Sequence, residues 1–209
     1  MRVPCLLTLL LLFAGLTSVK AQQTRLYVNS GVTFTTGPGD VVDWWGRAPA
    51  FEVAVGRRIK DRLEITAGIW RTNLPISKDK LLLAGGDIRI SGGDFSVTSF
   101  QLGIRLELER GTWFRPYLHA GAGLHMISVK ELALVAQNPQ DVCGEASCNL
   151  TFAPAERPDE TAPGLRLGAG IAYYLTDSIW LYAEPTYHLI FSEERIGLLP
   201  LKLGLAWAL

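Results

Sequence analysis

Residues 164–175 read Gly164-Leu-Arg-Leu-Gly-Ala-Gly-Ile-Ala-Tyr-Tyr-Leu175, and the chemical character changes at every second position. One face of this extended segment is apolar, whereas the other face carries Arg166, Gly168 and Gly170. A period of two residues is typical of a β-strand with two unlike faces. The polar face combines a charge with the smallest residue, which indicates a crowded environment on that side.

The same alternation recurs along the rest of the chain. It predicts eight strands, at approximately 25–35, 50–57, 62–71, 96–109, 114–128, 164–175, 179–190 and 198–209. No long segment has the period of an amphipathic helix, and residues 130–137 are the single short helical candidate, in a predicted loop. The pattern therefore predicts an all-β fold.

The two faces of these strands differ in charge. The apolar face has no charged residue within any strand interior, and the polar face has four acids and four bases together with the strand-interior glycines. The eight charges are Glu52, Glu64, Arg105, Glu107, Arg115, Arg166, Glu184 and Lys202. Eight strands enclose an interior just wide enough to be filled by side chains, and charges buried there must be paired. We therefore expect this lumen charge network inside and the apolar face against lipid.

The predicted connections alternate in length. Three short links, 58–61, 110–113 and 176–178, alternate with the longer links 36–49, 72–95, 129–163 and 191–197. Outer-membrane barrels combine short periplasmic turns with longer extracellular loops. We therefore predict an eight-stranded antiparallel transmembrane up-and-down β-barrel. A secreted lipocalin-like binder, with its apolar face inward, is the alternative with the same strand count.

The first residues have the pattern of a secretory signal peptide. Arg2 precedes an apolar run over residues 6–19, and a small-x-small site follows at 19–21. We expect residues 1–21 to be removed and residues 22–209 to form the barrel domain. In an exported chain Cys143 and Cys148 are expected to form a disulfide, with a metal site as the rival interpretation.

The amino-acid composition argues against two other classes of protein, disordered chains and nucleic-acid-binding proteins. The 209 residues contain 20 basic and 20 acidic side chains and are 48% hydrophobic, so neither a disordered chain nor a basic nucleic-acid footprint is indicated.

Three stretches, 116–123, 168–177 and 181–187, carry a resemblance to a known family. In their order and spacing the chain resembles the small outer membrane protein β-barrel domain family, whose architecture is that of the barrel of outer membrane protein A. Strand 199–209 resembles the terminal strand that the barrel-assembly machinery reads, although Leu209 stands where phenylalanine is usual. The resemblance implies a location in the bacterial outer membrane, among porin-like barrels, and no single activity.

The residues that could form a catalytic or metal site are poorly spaced in this sequence. Ser192 lies four residues after His188, about 13 Å along a strand, and His119 and His125 are about 20 Å apart. We therefore expect no catalytic residues, no metal site and no cofactor. A lipid A-modifying enzyme remains an alternative function, as does a small-solute channel through the lumen.

Recognition is therefore expected in the extracellular loops. The link 129–163 has two bases against six acids, for a net charge of −4, and could hold an extracellular ligand. Membrane lipid and lipopolysaccharide are the other expected partners, and the basic first turn at 57–62 should meet anionic headgroups. The expected interfacial aromatics are Trp44, Trp45, Trp113 and Trp207.

Overall fold

The computed structural model describes residues 24–36, 45–76, 88–108, 113–130, 132–136, 149–150, 159–193 and 195–209. Within these ranges the strands are β1 (Thr24–Thr36), β2 (Ala48–Lys60), β3 (Leu63–Leu74), β4 (Ile88–Gly92), β5 (Phe95–Glu107), β6 (Phe114–Val129), β7 (Leu132–Ala136), β8 (Asn149–Leu150), β9 (Glu160–Tyr174), β10 (Ile179–Phe191) and β11 (Arg195–Ala208). No helix in this part of the chain is long and apolar enough to cross a membrane.

Eight of the strands close into an antiparallel barrel in the order β1-β2-β3-β5-β6-β9-β10-β11. This confirms the predicted fold class and each of the eight predicted segments. The strands run past several predicted ends, and β9 begins at Glu160 rather than near residue 164. Backbone pairing persists there after the apolar alternation has ended, because a hydrogen-bonded ladder does not require an apolar face.

The strands are tilted, as their registers show. One row of paired residues around the barrel runs through Arg25, Gly56, Thr66, Gly103, Gly121, Arg166, His188, Leu198 and Thr35. The row returns to β1 ten residues beyond its start, at residue 35 instead of 25. For eight strands this stagger corresponds to a tilt of about 43° from the barrel axis.

The barrel has a polar inside and an apolar outside. On β2, Glu52 is 3% exposed while its neighbour Phe51 is 63% exposed. The same contrast separates Arg166 at 6% from Leu167 at 61% on β9. A soluble barrel would show the opposite distribution, because water would face the charges and the apolar residues would form the core.

The two ends of the barrel differ in their connections. Short links join β2 to β3, β5 to β6 and β9 to β10 at one end, which we call the turn end. The barrel termini lie at that end too, where the Leu209 amide donates to the Thr24 carbonyl across 2.8 Å. The opposite end, which we call the loop end, has longer connections from β1 to β2, from β3 to β5 and from β6 to β9. The fourth connection at this end is short, because only residues 192–194 separate β10 from β11, so the longer link predicted at 191–197 is wrong.

A second, three-stranded sheet of order β4-β7-β8 stands at the loop end, and we call it the ribbon. Its β4–β7 pairing keeps the register of β5–β6, with Gly92 opposite Leu132 and Phe95 opposite Val129. Bonds from Gly93 N to Lys130 O and from Lys130 N to Asp94 O, at 3.1 and 3.0 Å, carry the ladder across the junction. Gly93 has a φ of 74°, a conformation that glycine adopts without steric cost.

The short helical candidate at 130–137 is not a helix over residues 132–136, which form strand β7. Leucine and alanine favour a helix intrinsically, but pairing with β4 on one side and β8 on the other outweighs that weak preference.

Candidate functional site

The middle of the lumen holds four charges from four strands. Arg166 reaches Glu52 at 2.6 Å and Glu184 at 2.7 Å through its two terminal nitrogens. Lys202 lies 2.7 Å from Glu52 and 3.7 Å from Glu184. All four residues are at most 6% exposed. We call this neutral group the central ion cluster, and each charge in it has two partners of opposite sign.

Neutral polar side chains complete this cluster. Asn29 Nδ2 donates to Glu52 at 3.2 Å, Thr186 Oγ1 donates to Glu184 at 2.8 Å, and Arg166 donates to Gln101 Oε1 at 2.7 Å. His119 Nδ1 lies 3.4 Å from Glu184. Buried carboxylates keep their charge only where such partners replace water.

A second group of charges closes the turn end. Arg25 lies 2.8 Å from Glu64 and 3.0 Å from Glu107. Arg58 lies 2.7 Å from the Glu107 carboxylate, and Arg115 lies 3.8 Å from the same carboxylate. Both arginines are partly exposed at the rim. We call these residues the turn-end ion cluster.

Arg105 lies between the two clusters and is surrounded by aromatic rings. Its guanidinium carbon lies 3.4 Å from the ring centre of Tyr117, 5.3 Å from Tyr27 and 5.8 Å from Tyr182. A guanidinium at these distances is attracted by the electron-rich ring faces. Within the described residues, rings rather than a carboxylate in ion-pair contact hold this cation.

The lumen narrows to an apolar layer at the loop end, which we call the loop-end layer. It consists of Trp45, Ala48, Ala50, Trp70, Leu74, Ile76, Phe95, Val97, Ile127, Ala162, Ile190, Ile196 and Leu198, with Val129 packed against it. Trp70, Leu74 and Phe95 have no exposed surface. This layer separates the central ion cluster from the loop-end opening.

A barrel with buried ion pairs and an apolar outer wall is the arrangement of a protein that spans a membrane with strands. The sequence matches the outer membrane protein beta-barrel domain family over residues 5–202. The chain belongs to this family. Its members reside in the bacterial outer membrane, so the loop end faces the outside and the turn end faces the periplasm.

Solved structures of outer-membrane barrels share this fold. Neisserial surface protein A superimposes with a TM-score of 0.60 at 14% identity, covering 89% of this chain and 97% of its own. A major outer membrane protein from Thermus thermophilus gives 0.53 at 12%, covering 89% and 99%. The N-terminal barrel domain of Pseudomonas aeruginosa OprF gives 0.51 at 13%, covering 90% and 99%. At these identities the likeness concerns the fold alone. No curated protein matches the sequence significantly.

In this outer-membrane barrel the expected lumen charges belong to the two ion clusters, except Arg105, which lies between them. Sequence reasoning missed Arg25 and Arg58, which complete the turn-end ion cluster. Arg25 shares its strand parity with the inward-facing Tyr27 and Asn29, so the alternation itself contained the signal. Arg58 stands in a basic turn segment, where the alternation gives no guidance.

The expected interfacial tryptophans occupy different environments. Trp113 is 67% exposed at the turn end, where its ring stacks on Tyr173 with centroids 6.4 Å apart. Trp207 faces outward on β11 and is half-buried, opposite Leu26 and Ile179. Trp44 lies outside the described residues, as do Cys143 and Cys148.

Trp45 is not at the lipid-facing position that we expected. It is 8% exposed and packs on Phe95, with ring centroids 5.1 Å apart. Its indole nitrogen donates to Gly93 O at 2.8 Å, and its carbonyl accepts from Thr35 Oγ1 at 2.9 Å. A polar indole N–H with a buried backbone acceptor favours the inside of the rim over the lipid interface.

The three histidines lie among lumen side chains. His188 is fully buried against Trp70, and its Nδ1 lies 3.1 Å from Gln101 Nε2. His125 Nδ1 is 2.5 Å from Ser99 Oγ, and His119 Nε2 is 3.1 Å from Thr66 Oγ1. In the part of the chain that is described, no three His, Cys, Asp or Glu side chains are grouped to hold a metal ion.

Proposed function

We propose that this protein is a non-enzymatic outer-membrane barrel that recognises partners through its ribbon and loop-end links. The observation that carries the proposal is that β4–β7 pairs in the same register as β5–β6 and is joined to it by the backbone bonds of Lys130. That register extends the hairpin beyond the barrel by roughly 20 Å of strand on the extracellular side. Surface segments held by a rigid scaffold are where binding function concentrates.

The filled lumen supports a structural role for the inward-facing charges. Each charge of the central ion cluster has partners of opposite sign within the barrel, and the loop-end layer lies between the cluster and the loop-end opening. A cavity beside Glu52, Arg105 and Tyr182 measures about 20 Å³. That volume accommodates about one water molecule.

The surroundings of His188 support the absence of catalysis at that residue. A serine nucleophile and its histidine base must meet each other and a substrate. His188 instead has no exposed surface and contacts Trp70 and Gln101.

For the partner, we propose a cationic surface. The link 129–163 carries two bases against six acids, and the ribbon strands β7 and β8 lie within it. A net charge of −4 held outside the membrane attracts basic partners over about 8 Å at physiological salt. The proposed disulfide between Cys143 and Cys148 would restrict the same link.

The test uses bacteria that display the protein and two fluorescent peptides, oligolysine and oligoglutamate. Oligolysine should bind in low salt and be released by high salt, and replacing residues 132–158 with a short Gly-Ser linker should abolish this binding. A matched control replaces residues 37–44 with the same linker and should bind as the unchanged protein does. Equal binding of both peptides, or unchanged binding after loss of 132–158, would contradict the proposal.

Two further partners belong to the same proposal. Lipid, including lipopolysaccharide, surrounds the apolar wall, and the barrel-assembly machinery recognises strand 199–209 through its outward row of leucines. Leu201 and Leu203 in this row are 46% and 68% exposed.

A further inference from the structure

The β2–β3 hairpin carries two arginines on the face that is turned toward lipid. Arg57 stands opposite Ile65, which is 43% exposed, and Arg71 stands opposite Phe51, which is 63% exposed. Residues directly opposite each other in neighbouring strands have their side chains on the same face. Both arginines therefore interrupt the apolar wall.

The apolar wall is thin between these arginines. A strand tilted by about 43° gains about 2.4 Å of height per residue, so Arg57 and Arg71 are separated by roughly 17 Å along the barrel axis. On β6 the outward apolar residues continue from Phe114 to Met126, a height of about 29 Å by the same measure. Outer-membrane barrels have an apolar band of about 25 Å. The height between the two arginines on the β2–β3 hairpin is below that value, and the apolar height of β6 is above it.

Arg71 stands opposite the outward-facing Phe51 of β2 on one side and opposite Thr98 of β5 on the other. A lipid-facing arginine costs about 2–4 kcal/mol at the midplane and little at the interface, so the surrounding lipid must bring polar groups to this depth. The outward residues around it are Phe51, Ile69, Asn73 and Thr98. None of these neighbours is acidic, so the described outward residues next to Arg71 supply no counter-charge.

We propose that Arg71, with Asn73 and Thr98, binds a phosphate group of lipopolysaccharide where the outer leaflet thins over the β2–β3 hairpin. Ser96 Oγ donates to Asn73 Oδ1 at 2.7 Å, which fixes the amide and leaves its Nδ2 as a donor. Thr98 stands directly opposite Arg71 and supplies a hydroxyl. A guanidinium binds a phosphate through two parallel N–H bonds. This inference rests on the proposed lipid partner and assigns it a position.

The outer leaflet is the source of this phosphate because Arg71 lies near the loop end. An alternative occupant is a second copy of the chain, which could cover the thin face instead. The two occupants make opposite demands on Arg71, since a phosphate needs its charge and an apolar protein contact does not.

The test measures binding of lipid A to the folded, detergent-solubilised chain by native mass spectrometry. Wild-type protein should retain lipid A in preference to enzymatically dephosphorylated lipid A. Arg71→Gln should lower the affinity for lipid A about ten-fold, the loss expected for a charge-assisted hydrogen bond. Arg71→Lys should restore part of it. The matched control is Arg195→Gln, an exposed arginine on β11 at the same end of the barrel.

Heat-modifiable gel migration verifies that each variant is folded. Equal binding of the two forms of lipid A, or an Arg71→Gln affinity equal to that of Arg195→Gln, overturns the proposal. A wild-type dimer that persists in Arg71→Gln, without selectivity for phosphate, assigns the face to a second copy and overturns it too. Loss of peptide binding at the ribbon would leave this result unchanged, so the two proposals fail separately.

Discussion

Glycines on the polar face of the barrel leave space that neighbouring side chains occupy. A Cβ on Gly170 would meet the Tyr117 ring and hydroxyl, and a Cβ on Gly204 would meet the Tyr182 ring at 2.6 Å. These two tyrosines surround Arg105. The glycines on the polar face therefore provide room for the rings that hold a buried cation.

We predict that Gly170→Ala lowers the free energy of unfolding by about 1–3 kcal/mol, the usual cost of overpacking. Gly46→Ala is the matched control, because a Cβ there has nothing within 4 Å. The midpoint of urea unfolding in detergent micelles measures both. Equal midpoints for the two variants would show that the Tyr117 ring can move aside without cost.

Glu52 is the residue whose neutralisation should cost most in the central ion cluster. Glu52→Gln leaves Arg166 and Lys202 with one carboxylate between them, and we expect a loss of about 3–5 kcal/mol in unfolding free energy. Adding Lys202→Met should recover part of that loss, because it restores the charge balance. Glu193→Gln, at an exposed loop-end position, should change stability little. Additive effects of Glu52→Gln and Lys202→Met in the same unfolding assay would refute the coupling.

At the scale of elements, alternating hydrophobicity predicts most of the barrel. Lipid on one side and packed charges on the other impose a period of two, so the eight strands, their faces and the short turns can be read from the sequence. The ribbon cannot, because Leu132-Ala-Leu-Val-Ala136 has no alternation and depends on pairing with β4. Trp45 is missed for a related reason, since its partners Gly93 and Phe95 are distant in sequence and only the closed barrel brings them to it.

Trp45 should hold the ribbon junction in place. Trp45→Ala removes the bond to Gly93 and the contact with Phe95, so we expect amide hydrogen exchange at Gly93 and Lys130 to accelerate about ten-fold or more. Trp113→Ala, which removes an exposed indole at the turn end, should leave these amides unchanged. Exchange measured by mass spectrometry on the folded protein provides the comparison. Unaltered exchange in Trp45→Ala would mean that the ladder alone orders the junction.

On the whole-molecule scale, the charged and apolar residues of this neutral chain lie on different sides of the barrel wall. Apolar residues face lipid and buried charges are paired inside the barrel. The central ion cluster and the loop-end layer occupy successive heights of the same lumen. Within the described residues, ion pairs fill one of these heights and packed apolar side chains fill the other.

The purified protein should therefore be nearly silent in planar bilayers. In the described part of the lumen, the central ion cluster and the loop-end layer fill two successive heights, so we expect no large stable conductance steps at neutral pH. Trp70→Ala combined with Leu198→Ala thins the loop-end layer but leaves the central ion cluster intact, and it should also stay silent. Frequent, uniform steps from the unchanged protein would require an open lumen.

The shared register of ribbon and barrel has a mechanical consequence. A pull on the ribbon, as when a cell attached through it is exposed to flow, passes directly into β5 and β6. These two strands are bonded along their lengths to β3 and β9, so the force acts as shear on many hydrogen bonds at once. Such a tether resists detachment far better than one whose bonds open one after another, and the membrane-embedded wall becomes its anchor.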